Sequence, residues 1–373
     1  MKLNELLKHH FLALPKNWKA LGYISYYDCV VNEGSNFLKL LEELDEAEDY
    51  GESQFIGKLS KNYLISVSRD YYMMVIKTLQ CYLNKGNPHE TYNVLNGCLI
   101  NKNEIPNHKP LIFYLEFDNI YPRLYRLRKK QGEVSLGDIF HVPFEYRHNI
   151  NSNRYSIPGY PTLYFSNSIF LAYKELGEPD YDDLYVSKFY HTEYYNPTET
   201  LLDMTSQPLW DNFESKFKFI ARWILIMACN IKVGFPDSPF KPEYILPQII
   251  FQWVKNNIDI GSQKIIGVKY SSTKITDTGE GFYGHFYNTA IPIHHSNKNG
   301  YCDVLTKQFC MTFPINFHKA LEYSEEVNIQ GQVKFIEMNG ALIEYVKTDF
   351  GKIEQVLSTA PYSELYSVNG VKL

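Results

Sequence analysis

Between residues 157 and 177 the chain reads IPGYPTLYFSNSIFLAYKELG, and that run leaves few choices of fold. Pro158 fixes φ, Gly159 admits positive φ, and Pro161 blocks a helix, so the segment opens on a rigid turn. The turn feeds a strand, TLYF. Ser166 or Ser168 then offers a helix cap, IFLAYKEL continues as a helix, and Gly177 ends it. The local pattern is a turn, a strand and a helix in immediate succession, with an Arg and a Glu beside them.

The remaining sequence extends that mixture. Residues 1 to about 110 read mainly helical. GSNFLKLLEELDEAEDYGES places Phe37, Leu38, Leu40, Leu41 and Leu44 at helical spacing behind a cap at Ser35, and RDYYMMVIKTLQCYLNKG gives a second helix closed by Gly86. The polar, Pro-containing loop NKNEIPNHKP at 101–110 is the expected boundary. Beyond it LIFYLEF, LYRLR, TLYFS and KIIGVKYSST read as strands and YILPQIIFQWVKNN as a longer helix. Asn339-Gly340, between two strand-like runs, signals a type I′ hairpin turn. Strands interleaved unevenly with helices indicate the α+β class rather than a doubly wound sheet. At 373 residues the chain exceeds what one compact core usually holds. The expected division is a helical N-terminal region (1–110), a mixed central unit (111–295) and a C-terminal extension with a β-hairpin (296–373).

Several function classes are disfavoured. A net charge of −5 argues against a nucleic-acid or anionic-membrane binder, which needs a basic footprint. The N-terminal apolar run is only FLAL, too short for a secretory signal. WILIMAC, from Trp223 to Cys229, falls far short of the roughly 20 residues that span a bilayer. A cytoplasmic protein with reduced, buried thiols is expected. The six cysteines form no C-x-x-C and no finger-like His pair, so no metal site is expected, and His294-His295 suits a loop. No G-x-G-x-x-G directly follows a strand-like run and no Walker-type Gly-Lys-Ser/Thr occurs, which disfavours a Rossmann or P-loop nucleotide site.

Periodicity alone makes Glu175 a surface residue, because it falls off the stripe formed by Ile169, Ala172, Tyr173 and Leu176. Arg154, Arg126 and Tyr164 likewise read as an ordinary surface Arg, a basic-face Arg and a strand aromatic. Their combination says more. LYR at 124–126, RYSIPGYPTLYFSNS at 154–168 and Glu175, which follows Tyr164 by eleven residues, resemble the RES-domain family over about 120–290. That family is named for an Arg, a Glu and a Ser, includes toxins that consume NAD, and is similar in fold to ADP-ribosyltransferases. The resemblance implies that Arg126 and Arg154 are its two arginines, Tyr164 its strand tyrosine and Glu175 its glutamate. GVKYSSTKI resembles the family's G-[ILV]-x-[YV]-P-S segment. This places the Ser on Ser272, with Ser271 where Pro is common.

The implied chemistry suits these residue types. In NAD the nicotinamide leaves as a neutral base, so no general acid is needed and one carboxylate suffices, unlike ordinary glycoside hydrolysis. Glu175 would stabilise the oxocarbenium-like transition state, Arg126 and Arg154 would clamp the two phosphates, and Tyr164 would stack on the nicotinamide. Tyr155 and Tyr160 would help wall the ring from water. The expectation is therefore cleavage of NAD at the nicotinamide bond by a toxin or defence effector. No cofactor is expected beyond NAD as substrate, with inorganic phosphate a co-substrate if phosphorolysis is favoured over hydrolysis. Protein ADP-ribosylation and dinucleotide sensing without turnover remain as alternatives. An antitoxin or regulatory protein is the expected partner, and homo-oligomerisation is left open.

Overall fold

The computed structural model describes residues 1–54, 56–100, 110–120, 123–192, 199–257, 259–260, 263–275, 286–293, 300–324, 335–338, 341–367 and 370–371. The class is α+β. Helices α1 (Tyr26–Leu41), α2 (Lys61–Leu83) and α3 (Pro88–Ile100) come first. The main sheet then uses β1 (Phe117–Asp118), β2 (Leu124–Lys129), β3 (Thr162–Ser166), β4 (Leu184–His191), β5 (Glu199–Met204), β6 (Gln263–Ser271), β7 (Tyr287–Pro292), β8 (Phe309–Thr312) and β9 (Tyr362–Glu364). Interspersed are α4 (Ile169–Glu175), α5 (Phe213–Ala221), α6 (Trp223–Cys229), α7 (Ile245–Asn256), α8 (Phe317–Ser324) and α9 (Asp349–Thr359). The strand order is β9-β8-β4-β2-β3-β7-β6-β5-β1, and among the described strands only β5 and β6 run parallel.

Strand alternation assigns the two faces. In β7, Ala290 and Ile291 enter different apolar clusters; in β6, Ile265 and Val268 share one cluster and Ile266 enters the other, a three-residue spacing allowed by the irregularity of the β5–β6 ladder at Thr200 and Leu201. The first face is covered by α1, α2, α3 and α5–α7, which contribute Phe37, Tyr71, Leu95, Trp223 and Trp253 to one continuous cluster. The second face is closed by 139–144 and 301–311, through Phe140, Phe144, Leu305 and Phe309. A third cluster packs α4, α8 and α9 on Tyr125, Leu127, Leu184 and Val186 of β2 and β4. Gly267 is required where β6 meets β7, because a Cβ there would come within 2.5 Å of the Ala290 carbonyl oxygen.

Most expected elements form where the pattern placed them; two details differ, and one choice between two caps is decided. Helix α1 does not begin at Ser35. It starts behind Ser25, whose Oγ accepts from Asp28 N at 3.0 Å, and buries Cys29, Val30 and Phe37 along one stripe. Gly34 lies inside this helix because a Cβ would overlap the Tyr72 ring of α2 at 2.6 Å. LIFYLEF is not one strand: Leu111–Tyr114 is a 3₁₀ turn and only Phe117–Asp118 pairs, with β5. Ser168, not Ser166, caps α4, accepting from Leu171 N at 3.1 Å. Strands Phe335–Met338 and Ala341–Glu344 pair antiparallel, while Asn339-Gly340 between them and His294-His295 lie outside the described residues. Among the described residues no disulfide links the six cysteines, and all but Cys98 are buried. Among the described residues no helix is long and apolar enough to cross a membrane.

Candidate functional site

The turn at 157–160 opens the site. Tyr160 N donates to Ile157 O at 2.9 Å, and Gly159 takes φ +68°, which with Pro158 before it is a type II geometry. The chain then enters β3, which meets β2 at one position, Tyr125 opposite Ser166. Past that pair the two strands diverge, and a cleft of about 660 Å³ opens at the fork. Arg126, Leu127 and Arg128 line it from β2, and Tyr164 and Phe165 from β3. The volume is within the range of small-molecule sites.

Cross-strand register builds the cradle for Glu175. Asn288 of β7 lies opposite Ser166 of β3 on one side and Tyr270 of β6 on the other, so the three share a face. Ser166 Oγ donates to Asn288 Oδ1 at 2.6 Å, which fixes the amide. Asn288 Nδ2 then donates to Glu175 Oε1 at 2.8 Å, and Ser272 Oγ donates to the same oxygen at 2.7 Å. Oε2 has no hydrogen-bond partner among the described residues. The carboxylate is thus held through one oxygen while the other stays available to a ligand. Ser272, 5% exposed, also accepts from Lys274 N at 3.1 Å, so its proton is committed to Glu175 and it acts as an orienting group.

Charge around the cleft is one-sided. Arg126, Arg128, Lys232, Lys241 and Lys274 line it, and Glu175 is the carboxylate among its described lining residues. Arg126 Nη1 is buried with no hydrogen-bond partner among the described residues. Burial, with Arg128 nearby, pulls the Arg126 guanidinium down to about 10, so it remains charged at neutral pH. Tyr164 OH donates to Tyr155 O at 2.7 Å, and burial pushes its phenol up to about 12.

Two of the expected ligand contacts take other roles. Arg154 is 9% exposed and its fork is spent on backbone: Nη1 donates to Cys229 O at 2.8 Å and Nη2 to Ile231 O at 3.0 Å. Longer contacts reach Glu243 O at 3.5 Å and Thr273 Oγ1 at 3.4 Å. It touches the cleft wall as an anchor of the segment that carries Lys232 and Tyr244, and both Nη groups donate within the protein. Tyr155 is fully buried behind the cleft, its ring 4.3 Å from that of Tyr270, which does face the cleft. Arg126, Tyr164, Glu175 and Ser272 do come together. Ser271, beside Ser272, accepts from Ser206 N at 2.9 Å instead.

The sequence reading missed Asn288, Tyr244, Tyr270, Arg128 and the three lysines. Asn288 is a lone polar residue in YNTAIP whose meaning depends on the strand opposite it, and Lys232 and Lys241 bracket a Gly- and Pro-containing loop that reads only as surface. Leu176, placed on the apolar face of α4 by periodicity, is instead 44% exposed at the cleft.

No family model matches the chain, and no solved structure matches it significantly. The curated protein named "Putative toxin YopC", from Bacillus subtilis (strain 168), is 32% identical over 312 residues, covering 79% of this chain and 69% of that protein. An identity of that size over most of both chains is a family relationship, and the chain belongs to the family of that protein.

Proposed function

We propose that the protein is a toxin that binds NAD in the cleft and cleaves its nicotinamide–ribose bond. One observation carries this reading: a single carboxylate, Glu175, is fixed through Oε1 by Ser272 and Asn288 inside a cleft whose other charged wall residues are cations. The cations attract a diphosphate-bearing ligand. The fixed carboxylate offsets the positive charge that builds on the ribose as neutral nicotinamide departs. Tyr164, Tyr244 and Tyr270 offer ring faces to the nicotinamide or adenine. The RES-like motifs support the same chemistry, and the name carried by the relative supports a toxin role.

Capture of the ribose carbon follows departure. With inorganic phosphate as acceptor, a phosphate oxygen bonds to the anomeric carbon as the carbon–nitrogen bond breaks, giving nicotinamide and ADP-ribose 1″-phosphate. Phosphate fits a cation-rich cleft, and water gives ADP-ribose instead. Incubating purified protein with NAD, with and without millimolar phosphate, tests both levels. Nicotinamide release is the expected result, with the 1″-phosphate as product when phosphate is present. No nicotinamide under either condition refutes NAD cleavage; ADP-ribose alone at an unchanged rate refutes phosphorolysis only.

A further inference from the structure

The cations of the cleft are not equivalent. Arg154 spends its fork on Cys229 O and Ile231 O. Lys274 Nζ donates to Glu175 O at 2.8 Å, and Lys241 Nζ to Ser238 O at 2.8 Å. Arg126 and Arg128 differ from all three. They stand two residues apart on β2, hence on one face about 6.6 Å apart along the strand. Both line the cleft, Arg126 carries a buried Nη1 without a partner, and neither forms an ion pair with a carboxylate among the described residues. Two guanidinium groups side by side repel each other, and among the described residues neither has a paired carboxylate to offset the repulsion. Burial first and then Arg128 hold the Arg126 guanidinium below its ordinary value, in keeping with that repulsion.

We propose that Arg126 and Arg128 together form the diphosphate subsite of this cleft, with Arg128 taking the second clamp position that the sequence pattern assigns to Arg154. The proposal rests on the dinucleotide reading above for its substrate, while the subsite itself is defined by anion chemistry. A guanidinium presents a planar fork to phosphate oxygens, so two forks on one strand face match two linked phosphates better than one. The position also fits the fork in the sheet: beyond Tyr125 the β3-facing edge of β2 carries no ladder partner among the described residues, which leaves room for a ligand alongside these side chains.

The test measures binding of ADP-ribose and of AMP by calorimetry at low salt, in wild type, Arg128→Gln and Lys129→Gln. Lys129 is the charge-matched control, since it neighbours Arg128 but points to the opposite face and lies off the cleft wall. Arg128→Gln is expected to weaken ADP-ribose about tenfold, the weight of a hydrogen bond to a charged group, and AMP much less. Lys129→Gln should match wild type for both. Equal ADP-ribose affinity in the three proteins overturns the subsite, as does equal weakening by Arg128→Gln and Lys129→Gln, or no ADP-ribose binding by wild type. If Arg128→Gln behaves as expected but wild type releases no nicotinamide from NAD, the subsite stands and the cleavage reading falls.

Discussion

In the proposed reaction Glu175 carries the charge that matters, and its surroundings make a clean substitution available. In Glu175→Gln the amide oxygen still accepts from Ser272 and Asn288, so packing is preserved and only the charge is lost. Turnover of NAD should fall by about 10²–10³, the usual cost of removing one aligned electrostatic group, at an unchanged melting midpoint. Near-wild-type nicotinamide release in a steady-state assay would remove Glu175 from the mechanism. A second residue-level effect concerns pH. His141 is fully buried and accepts from Cys302 N at 2.9 Å through Nε2, so Nδ1–H donates to Val142 O at 2.9 Å. Burial, aided by Arg126, pulls it from 6.5 to about 4. Between those values the unfolded chain holds a proton that the folded chain does not. Its contribution is therefore full above pH 6.5 and falls as pH drops towards 4, by about 3 kcal/mol in all. Urea midpoints at pH 7 and pH 4.5 should diverge less in His141→Gln than in wild type; equal divergence contradicts the assignment. Little of this was legible residue by residue. Helical periodicity reports which side of α4 is apolar, and Glu175 leaves that side, but the groups that hold it come from Ser272 and Asn288, far away in sequence. Arg154 carries the expected motif, yet a motif does not say whether a guanidinium meets ligand or main chain.

Helix α4 is seven residues long, too short to persist unaided, and it is held at both ends. Ser168 Oγ accepts from Leu171 N, and Glu354 Oε1, from α9, accepts from Ile169 N at 2.8 Å and also from Tyr345 OH. At the other end Lys274 Nζ donates to the Glu175 carbonyl. The C-terminal extension thus reaches the element that presents the carboxylate. Glu354→Ala should cost about 1 kcal/mol of stability, the usual value of a lost cap, and lower kcat for NAD cleavage more than it raises KM. Glu354→Gln retains an acceptor oxygen and should recover most of both. Kinetics indistinguishable between Glu354→Ala and wild type would confine Glu354 to a packing role. At this scale the sequence is far more readable. Strands β2, β3 and β6 and helices α4 and α7 follow from period and caps, because local spacing decides them. The elements that were misread are those decided by distant contacts: α1 runs through Gly34 because Tyr72 crosses there, and 111–117 bends because Tyr71 OH donates to Leu111 O at 2.8 Å. Tertiary packing overrides local propensity at both places.

Across the whole molecule the helices of residues 1–100 share one apolar cluster with α5–α7 and with the underside of β5, β6 and β7. The cluster passes over the expected boundary at 101–110, so cutting there would expose Trp223, Phe217 and Trp253, each buried in it. The connection also reaches the cleft. Lys16 pairs with Ile231, and Lys232 N donates to Lys16 O at 2.8 Å. Glu243 Oε1 accepts from Trp18 Nε1 at 2.8 Å and from Gly234 N at 2.9 Å. The segment that carries Lys232 and Tyr244 is therefore gripped from the N-terminal side by Trp18 and from the sheet side by Arg154. Gly234 is the tightest point, because any Cβ there would overlap the Trp18 indole. Gly234→Ala must push the segment off Trp18 while leaving Glu175 and its cradle in place. The expected outcome is a KM for NAD raised several-fold with kcat within about twofold, since ligand contacts shift and the reacting centre does not. Trp18→Ala clears the space, so the double variant should lose less than the sum of the two single losses, a non-additivity expected of residues in contact. If Gly234→Ala leaves KM unchanged, the N-terminal helices support the fold alone and have no hold on the cleft.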